Sequence, residues 1–443
     1  MPRRLFGTDG VRGVAGEVLT AELATALGHA AAEVAAAERP QVLIVRDTRD
    51  SGPMLEAALA AGIAQGGGDA LLGGVLPTPA ASVLVRRHGL DLAAVVSASH
   101  NVWSDNGIKF FSADGAKLAP EAEARIEALV SDRLGPGPGE ATDAAEIGRV
   151  RSLEGALDDY LRQLNTAFDL DLSGRSVVLD CAHGATYRAA PAIFERLGAT
   201  VEAIAVDPDG RNINAGVGST QPQALAERVA ASPAEIGFAF DGDGDRVIAV
   251  DGTGAVRDGD ELIAIVARHL ERSGALDGGV AVTVMTNYGF HTAMREAGIE
   301  VATTDVGDRH VSVALRDRGW SLGGEQSGHL IWTGFAPTGD GIAAALLMIA
   351  ALGDGALADA RPFQRLPQML RNVAVRDREA SAGATGLWEA VERESAALEG
   401  RGRVLVRPSG TEPLVRVMVE APDEDECGAV CDRLVAVVER ELG

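Results

Sequence analysis

Residues 176–207 read SVVLDCAHGATYRAAPAIFERLGATVEAIAVD. An apolar run ends in a small, polar turn, a helix-forming stretch covers about 189–197, Gly198 stops it, and a second apolar run follows. Continuous apolar strands joined through a helix imply parallel pairing with both faces covered. The same order occurs twice more. VLIVRDTR from Val42 leads to a helix near 54–64 and then to ALLGGVLPTPA. VAVTVMTN from Val280 leads to a helix near 290–297, Gly298 and IEVATTD. Three such units predict three related α/β domains.

The remainder of the chain supplies the boundaries. RLGPGPGEATDAAE (133–146), VDGTGAVRDGDE (250–261) and DARPFQRLP (359–367) read as surface breaks. The tail runs strand, helix, strand, strand, helix, a small α+β pattern unlike the other three. The expected domains are 1–150, 151–255, 256–366 and 367–443, in a chain of 443 residues, where length alone suggests about three or four.

Composition excludes several classes. Hydrophobic residues at 46% and charged residues at 23% describe a globular chain. A net charge of −24 repels nucleic acid and anionic membranes. A phosphorylated substrate would therefore need cations gathered locally. Three cysteines, an odd and sparse set, fit a reducing compartment; Cys427 and Cys431, four apart, read as buried helix positions rather than a metal pair. The N-terminus lacks the apolar stretch of a signal peptide, and the longest apolar run, 342–352, is too short to span a bilayer. A cytoplasmic protein is expected.

Four stretches carry chemistry. In VVSASHNVWSDNGIKFF (95–111), Ser99 and His100 fall at the end of an apolar strand, where ligands bind in open α/β sheets. On its own this tetrapeptide reads first as a polar turn. In AFDGDGDRVIAVD (239–251), Asp241, Asp243 and Asp245 repel one another unless a cation lies among them, and hard oxygen ligands suit Mg²⁺ or Ca²⁺. An EF-hand fails, since Arg246 stands where its glycine belongs and Gly252 where its acidic ligand belongs. In LGGEQSGHLIW (322–332), Glu325 and Ser327 offer groups suited to sugar hydroxyls and His329 a proton carrier, although a polar hairpin turn explains the same letters. In VRPSGTEPLVRVMVE (406–420), Arg407, Ser409, Gly410 and Thr411 make a turn suited to a phosphate dianion, with Arg416 on the next strand. No P-loop is present.

Together these stretches, with the opening FGTDGVRG, resemble the α-D-phosphohexomutase superfamily over nearly the whole chain. Lesser matches are DTRDSG from Asp47, LPTPA from Leu76, NGIKFF from Asn106, DGRNINAGVGST from Asp209 and VGDR from Val306. The resemblance implies four domains around a central cleft, three related α/β mixed-sheet domains and a smaller α+β domain. It implies a phosphoserine at Ser99 and one Mg²⁺ per active site on Asp241, Asp243 and Asp245, completed by a phosphate oxygen of Ser99. Sugar contacts fall on Glu325 and Ser327, and the distal phosphate on Arg407, Ser409, Gly410, Thr411 and Arg416. Arg12, Lys109 and Arg246 supply the cations the acidic surface requires. The general acid/base is open among Lys109, His100 and His329.

Within the superfamily, the opening, SASHN and GEQSGH resemble the enzymes of glucosamine phosphate, whereas phosphomannomutases/phosphoglucomutases, the alternative, more often carry Met in place of Gln326. The implied reaction interconverts the 6- and 1-phosphates through a phosphoserine and a 1,6-bisphosphate, feeding amino-sugar and cell-wall precursor synthesis. Glucosamine or glucose 1,6-bisphosphate would be intermediate or activator. The implied partner is a phosphosugar, with no nucleic acid and no membrane, and a homodimer is one assembly open to it. Val102 and His310 depart from the usual proline and tyrosine of the family.

Overall fold

A computed structural model describes residues 5–7, 9–35, 37–134, 143–377, 379–409 and 412–443. The chain packs as two compact units, Met1–Val284 with Glu300–Ala360, and Met285–Ile299 with Arg361–Gly443.

The first unit contains three mixed sheets built to one plan. In the first, the parallel strands Asp69–Val75, Gln41–Arg46 and Leu92–Val96 are followed by antiparallel Asp105–Ser112, with Val11–Val14 and Val150–Ser152 added at the edges. In the second, Thr200–Ile204, Ser176–Asp180 and Ile236–Phe240 are parallel, and Val247–Asp251 turns back along the third. In the third, Val301–Thr304, Val280–Thr283 and Leu322–Gly324 are parallel and Leu330–Trp332 turns back. Each repeat is thus two parallel strands around a helix, then a third parallel strand that closes on an antiparallel partner. The pattern read in the sequence covers the first part; the closing hairpin was not part of that repeat, although a hairpin turn was read at 322–332. That hairpin matters because its turn lies at the carboxyl end of a parallel strand, where open α/β sheets bind ligands.

The helices follow the expectations closely: Gly52–Gln65, Ala189–Arg196 and Tyr288–Glu296. The central strands are apolar throughout; Val42, Leu43, Ile44 and Val45 are all fully buried, as are Val177, Val178 and Leu179. The apolar run near residue 342 forms the helix Gly341–Leu352, with its first nine residues buried. Asp340 caps it by accepting from the Ala343 amide, and Tyr160 donates to the same carboxylate at 2.8 Å. Among the described residues, no helix is long and apolar enough to cross a membrane.

The second unit has the strand, helix, strand, strand, helix order of the tail: Gln368–Ala374, Thr385–Ala397, Arg403–Pro408, Leu414–Glu420 and Glu424–Leu442. Its three strands are all antiparallel, with Leu414–Glu420 in the middle. Cys427 and Cys431 are buried in its core, as expected of helix positions. The helix Tyr288–Glu296, which the sequence assigns to the third repeat, packs with this unit instead. Glu420 explains why: it accepts from the Tyr288 amide at 2.9 Å and from Asn287 Nδ2 at 3.2 Å, while Arg403 holds the same carboxylate at 2.7 Å and donates to Thr286 O.

Candidate active site

The three closing hairpins carry three of the four stretches singled out in the sequence, Ser97–Ser104, Asp241–Arg246 and Glu325–His329. The strand Leu92–Val96 delivers Ser99 into a buried position with φ +52°, a left-handed backbone that costs a non-glycine residue about 1–2 kcal/mol. Hydrogen bonds fix that conformation. The Ser99 carbonyl accepts from Arg49 Nη2 at 3.1 Å and Asn214 Nδ2 at 2.9 Å, and the same two donors reach the Asn101 carbonyl at 2.7 and 3.1 Å. Arg49 is itself paired with Asp47, which also accepts from Ser97 Oγ at 2.5 Å. Gly242 is required here: a Cβ would stand 2.6 Å from the Ser99 carbonyl.

Ser99 Oγ donates to Asp241 Oδ2 at 2.6 Å. Asp241, Asp243 and Asp245 are buried, with one oxygen of each lying within 4.8 Å of the others. Burial and the neighbouring carboxylates of Asp245 and Asp243 push the Asp241 pKa well up. Burial acts the same way on Asp243, but Lys109 Nζ at 2.8 Å outweighs it and holds that carboxyl below its ordinary value. Thr78 Oγ1 adds a bond to the same oxygen at 2.6 Å. Lys109 is almost fully buried; desolvation opposes its charge, yet Asp243, Asp9 and Asp245 raise its pKa strongly, so the ammonium persists. Asp243 Oδ1 and Asp245 Oδ1 are buried with no hydrogen-bond partner among the described residues. Two orphaned carboxylate oxygens beside a third carboxylate fit a hard divalent cation, which would satisfy both.

His100 Nδ1 lies 3.3 Å from Ser99 Oγ and 3.2 Å from Arg246 Nη1. A guanidinium only donates, so that nitrogen carries a lone pair. Burial, then the charges of Arg246 and Arg12, push the His100 pKa down, keeping the ring neutral. The Arg246 amide donates to Asp241 Oδ1 at 3.2 Å. Arg12 pairs with Asp9.

Glu325 Oε1 accepts from the Gly307 amide at 3.0 Å. Ser327 is exposed. His329 is buried between Asp245 and Asp308, each 3.6 Å away, and the Gly339 amide donates to Nε2, which places the proton of the neutral ring on Nδ1, towards Asp245. Burial lowers its pKa, but Asp245, Asp308 and Glu325 together raise it. The turn Glu325–His329 is joined to the aspartate hairpin through backbone, Val247 N to Gly328 O at 3.0 Å. Gln326 does not face this site; its amide binds Asp258, the cap of the helix Gly259–Ser273.

In the second unit, Arg407 and Arg416 are directly opposed across antiparallel strands, a like-charge pair that an anion would relieve. The Ser409 amide donates to Leu414 O at 2.8 Å. Gly410 and Thr411 lie outside the described residues.

Five positioning groups had no assigned role in the sequence: Arg49, Asn214, Thr78, Asp9 and Asp308. All five lie in the lesser matches or the opening, so that signal was present without a chemistry attached. Lys117, paired with Asp9 and Asp308, had none.

Comparisons with known proteins match the chain along nearly its whole length. Four phosphoglucomutase/phosphomannomutase models match in order: α/β/α domain I at 3–134, domain II at 158–254, domain III at 258–366 and the C-terminal domain at 370–437. The phosphoglucosamine mutase of Desulforudis audaxviator is 50% identical, covering 98% of this chain and 97% of its own. That of Mycolicibacterium gilvum is 49% identical, covering 99% of each. Among solved structures, a phosphoglucomutase/phosphomannomutase family protein of Burkholderia thailandensis superposes with a TM-score of 0.81 at 24% identity, over 100% of this chain and 98% of its own. The N-acetylphosphoglucosamine mutase of Aspergillus fumigatus, in complex with GlcNAc-6P and magnesium, gives 0.68 at 18% identity, over 99% and 96%.

Proposed function

The chain belongs to the phosphoglucomutase/phosphomannomutase family, and from that premise we propose that it interconverts glucosamine 6-phosphate and glucosamine 1-phosphate, with Ser99 carrying the phosphoryl group. One observation supports the chemistry above the rest: a buried serine hydroxyl 2.6 Å from a carboxylate of a triad in which two oxygens accept no hydrogen bond among the described residues. The sugar is supported by the near 50% identity to phosphoglucosamine mutases over almost the whole chain.

Asp241, Asp243 and Asp245, with a phosphate oxygen on Ser99, would hold Mg²⁺, which supplies positive charge for the transferring phosphoryl group. The chain's own residues do the rest. In the first half, the bond from phosphorus to Ser99 Oγ breaks as one forms to the free sugar hydroxyl, giving the 1,6-bisphosphate. The hydroxyl proton leaves to a base and Ser99 Oγ regains one. In the second half the bisphosphate presents its other phosphate and Ser99 takes it back. Neutral His100, with Nδ1 3.3 Å from Ser99 Oγ, is placed to move the proton on that oxygen. Lys109 stays charged and acts as an electrostatic partner, which leaves His329 as the candidate on the sugar side. Glu325 would hold a sugar hydroxyl, and Arg407 with Arg416 a phosphate.

Phosphorus NMR of the protein with Mg²⁺ and glucosamine 6-phosphate tests this. The 1-phosphate should accumulate, and Ser99→Ala should abolish it. Inorganic phosphate as the sole product, or much higher kcat/KM on mannose or glucose phosphates, would overturn the reaction or the substrate respectively.

A further inference from the structure

The carboxylates and cations around the site form a closed ring that extends well beyond it. From Asp243 it runs through Lys109 to Asp9 at 3.8 Å, from Asp9 to Lys117, from Lys117 to Asp308 at 2.5 Å, and back through His329 to Asp245. Asp9 and Lys117 come from the first repeat and Asp308 from the third. Lys117 has no role in the phosphoryl chemistry above, yet it is half-buried between two carboxylates. Asp308 opens the helix Asp308–Arg318, and the residue before it, Gly307, has φ +123° and gives its amide to Glu325 Oε1. The next residue, Arg309, forms a two-pronged pair with Glu123 on the first repeat's helix Pro120–Arg133, at 2.9 and 2.5 Å. Two consecutive side chains therefore tie this turn to the first repeat, and the turn holds Glu325.

We propose that Lys117 is a positioning residue for sugar recognition: through Asp308 and the Gly307 amide it sets where the Glu325 carboxylate stands relative to Ser99. The inference rests on Glu325 as a sugar contact. Such a residue acts on binding of the sugar more than on transfer of phosphate, since the Ser99–Asp241 contact does not pass through it.

The test is Lys117→Met, which keeps the stem and removes the charge, beside Lys117→Arg, which keeps the charge. Each is measured by steady-state kinetics and by titration calorimetry with glucosamine 6-phosphate on Mg²⁺-loaded full-length protein. In Lys117→Met, KM and Kd should rise about 10–100-fold with kcat within threefold, and Lys117→Arg should return both to within fivefold of wild type. If Lys117→Met melts too low to assay, Lys117→Gln, which keeps a hydrogen-bonding side chain and loses the charge, should show the same split. Unchanged KM and Kd, a kcat loss as large as the KM rise, or no rescue by arginine would overturn the proposal. Wild-type protein that binds the sugar phosphate without isomerising it would sink the reaction above but not this inference, which the calorimetric ratio still decides.

Discussion

Ser99 shows how much of this site depends on single distant side chains. Its backbone conformation is unfavourable for serine, and two donors, 50 and 115 positions away in sequence, hold the carbonyl that fixes it. Strain of this kind persists only where the surroundings over-determine it. Asn214 is the cleaner partner to remove, because Arg49 would leave Asp47 buried and unpaired. Asn214 also has positive φ, so Asn214→Gly deletes the amide and keeps the backbone. The expected result is a fall in kcat of about 10–100-fold, since misplacing a reacting group by an ångström costs about that much. Wild-type kcat in this variant would show that the carbonyl clamp is dispensable. The contrast with the aspartates explains what the sequence reveals at this scale. Three alternating carboxylates announce themselves by mutual repulsion within five residues, and Ser99 by its place at a strand end. Arg49, Asn214 and Lys117 act singly and across the fold, so no local spacing marks them.

At the level of the element, the recurring unit is the closing hairpin, and its turn is where chemistry is housed. The parallel strands and helices were legible because buried strands leave continuous apolar runs. The hairpin of the third sheet was legible only as a polar turn: Leu322–Gly324 and Leu330–Trp332 have three residues each, too few for any alternation to register as strands. The aspartate turn carries a consequence for stability. Without a cation its three buried carboxylates repel, so Mg²⁺ should raise the melting temperature in step with the logarithm of its concentration, by the equivalent of about 2.7 kcal/mol at a hundredfold excess over Kd. Asp241→Asn should raise the metal-free melting temperature and remove most of the Mg²⁺ response. An equal Mg²⁺ shift in both proteins, followed by differential scanning fluorimetry, would place the cation elsewhere. The cap of the helix Gly341–Leu352 makes a second prediction. Burial raises the Asp340 pKa from 3.8 to about 6, against the opposing bonds from Ala343, Tyr160 and Ile342. Between those values the folded chain binds the extra proton, so stability falls as pH rises from about 4 to 6, and above 6 the ionised carboxylate is a standing cost of up to about 3 kcal/mol. Asn keeps the capping oxygen, and its amide nitrogen can donate to the Tyr160 hydroxyl oxygen in place of the bond that Tyr160 gives. Asp340→Asn should therefore stabilise the metal-free protein at pH 7.5 and give no gain at pH 4, as urea denaturation at the two pH values would show.

For the whole molecule, sequence order and physical grouping part company at the helix Tyr288–Glu296. By sequence it completes the third repeat between two strands of that repeat's sheet, which is why the periodic reading placed it there. By packing it belongs with the C-terminal residues, and Glu420 is the reason: a buried carboxylate that takes two hydrogen bonds from the start of this helix and a charged one from Arg403. Burial pushes the Glu420 pKa up, with Arg403 and the helix amide pulling against it, so its partners have to stay for it to remain charged. Cooperative unfolding follows such packing rather than chain order. Native-state hydrogen exchange should therefore find amides of 289–296 opening with the strands Gln368–Ala374 and Leu414–Glu420, at one common free energy, and differently from Val280–Thr283 a few residues earlier. Glu420→Gln, which keeps the shape and loses the charge, should lower protection of 289–296 by about 10-fold or more, in line with the roughly 1.5–3 kcal/mol of a charge-assisted bond, and leave Val280–Thr283 unchanged. Exchange of 289–296 in step with Val280–Thr283, in wild type and variant alike, would return that helix to the third repeat.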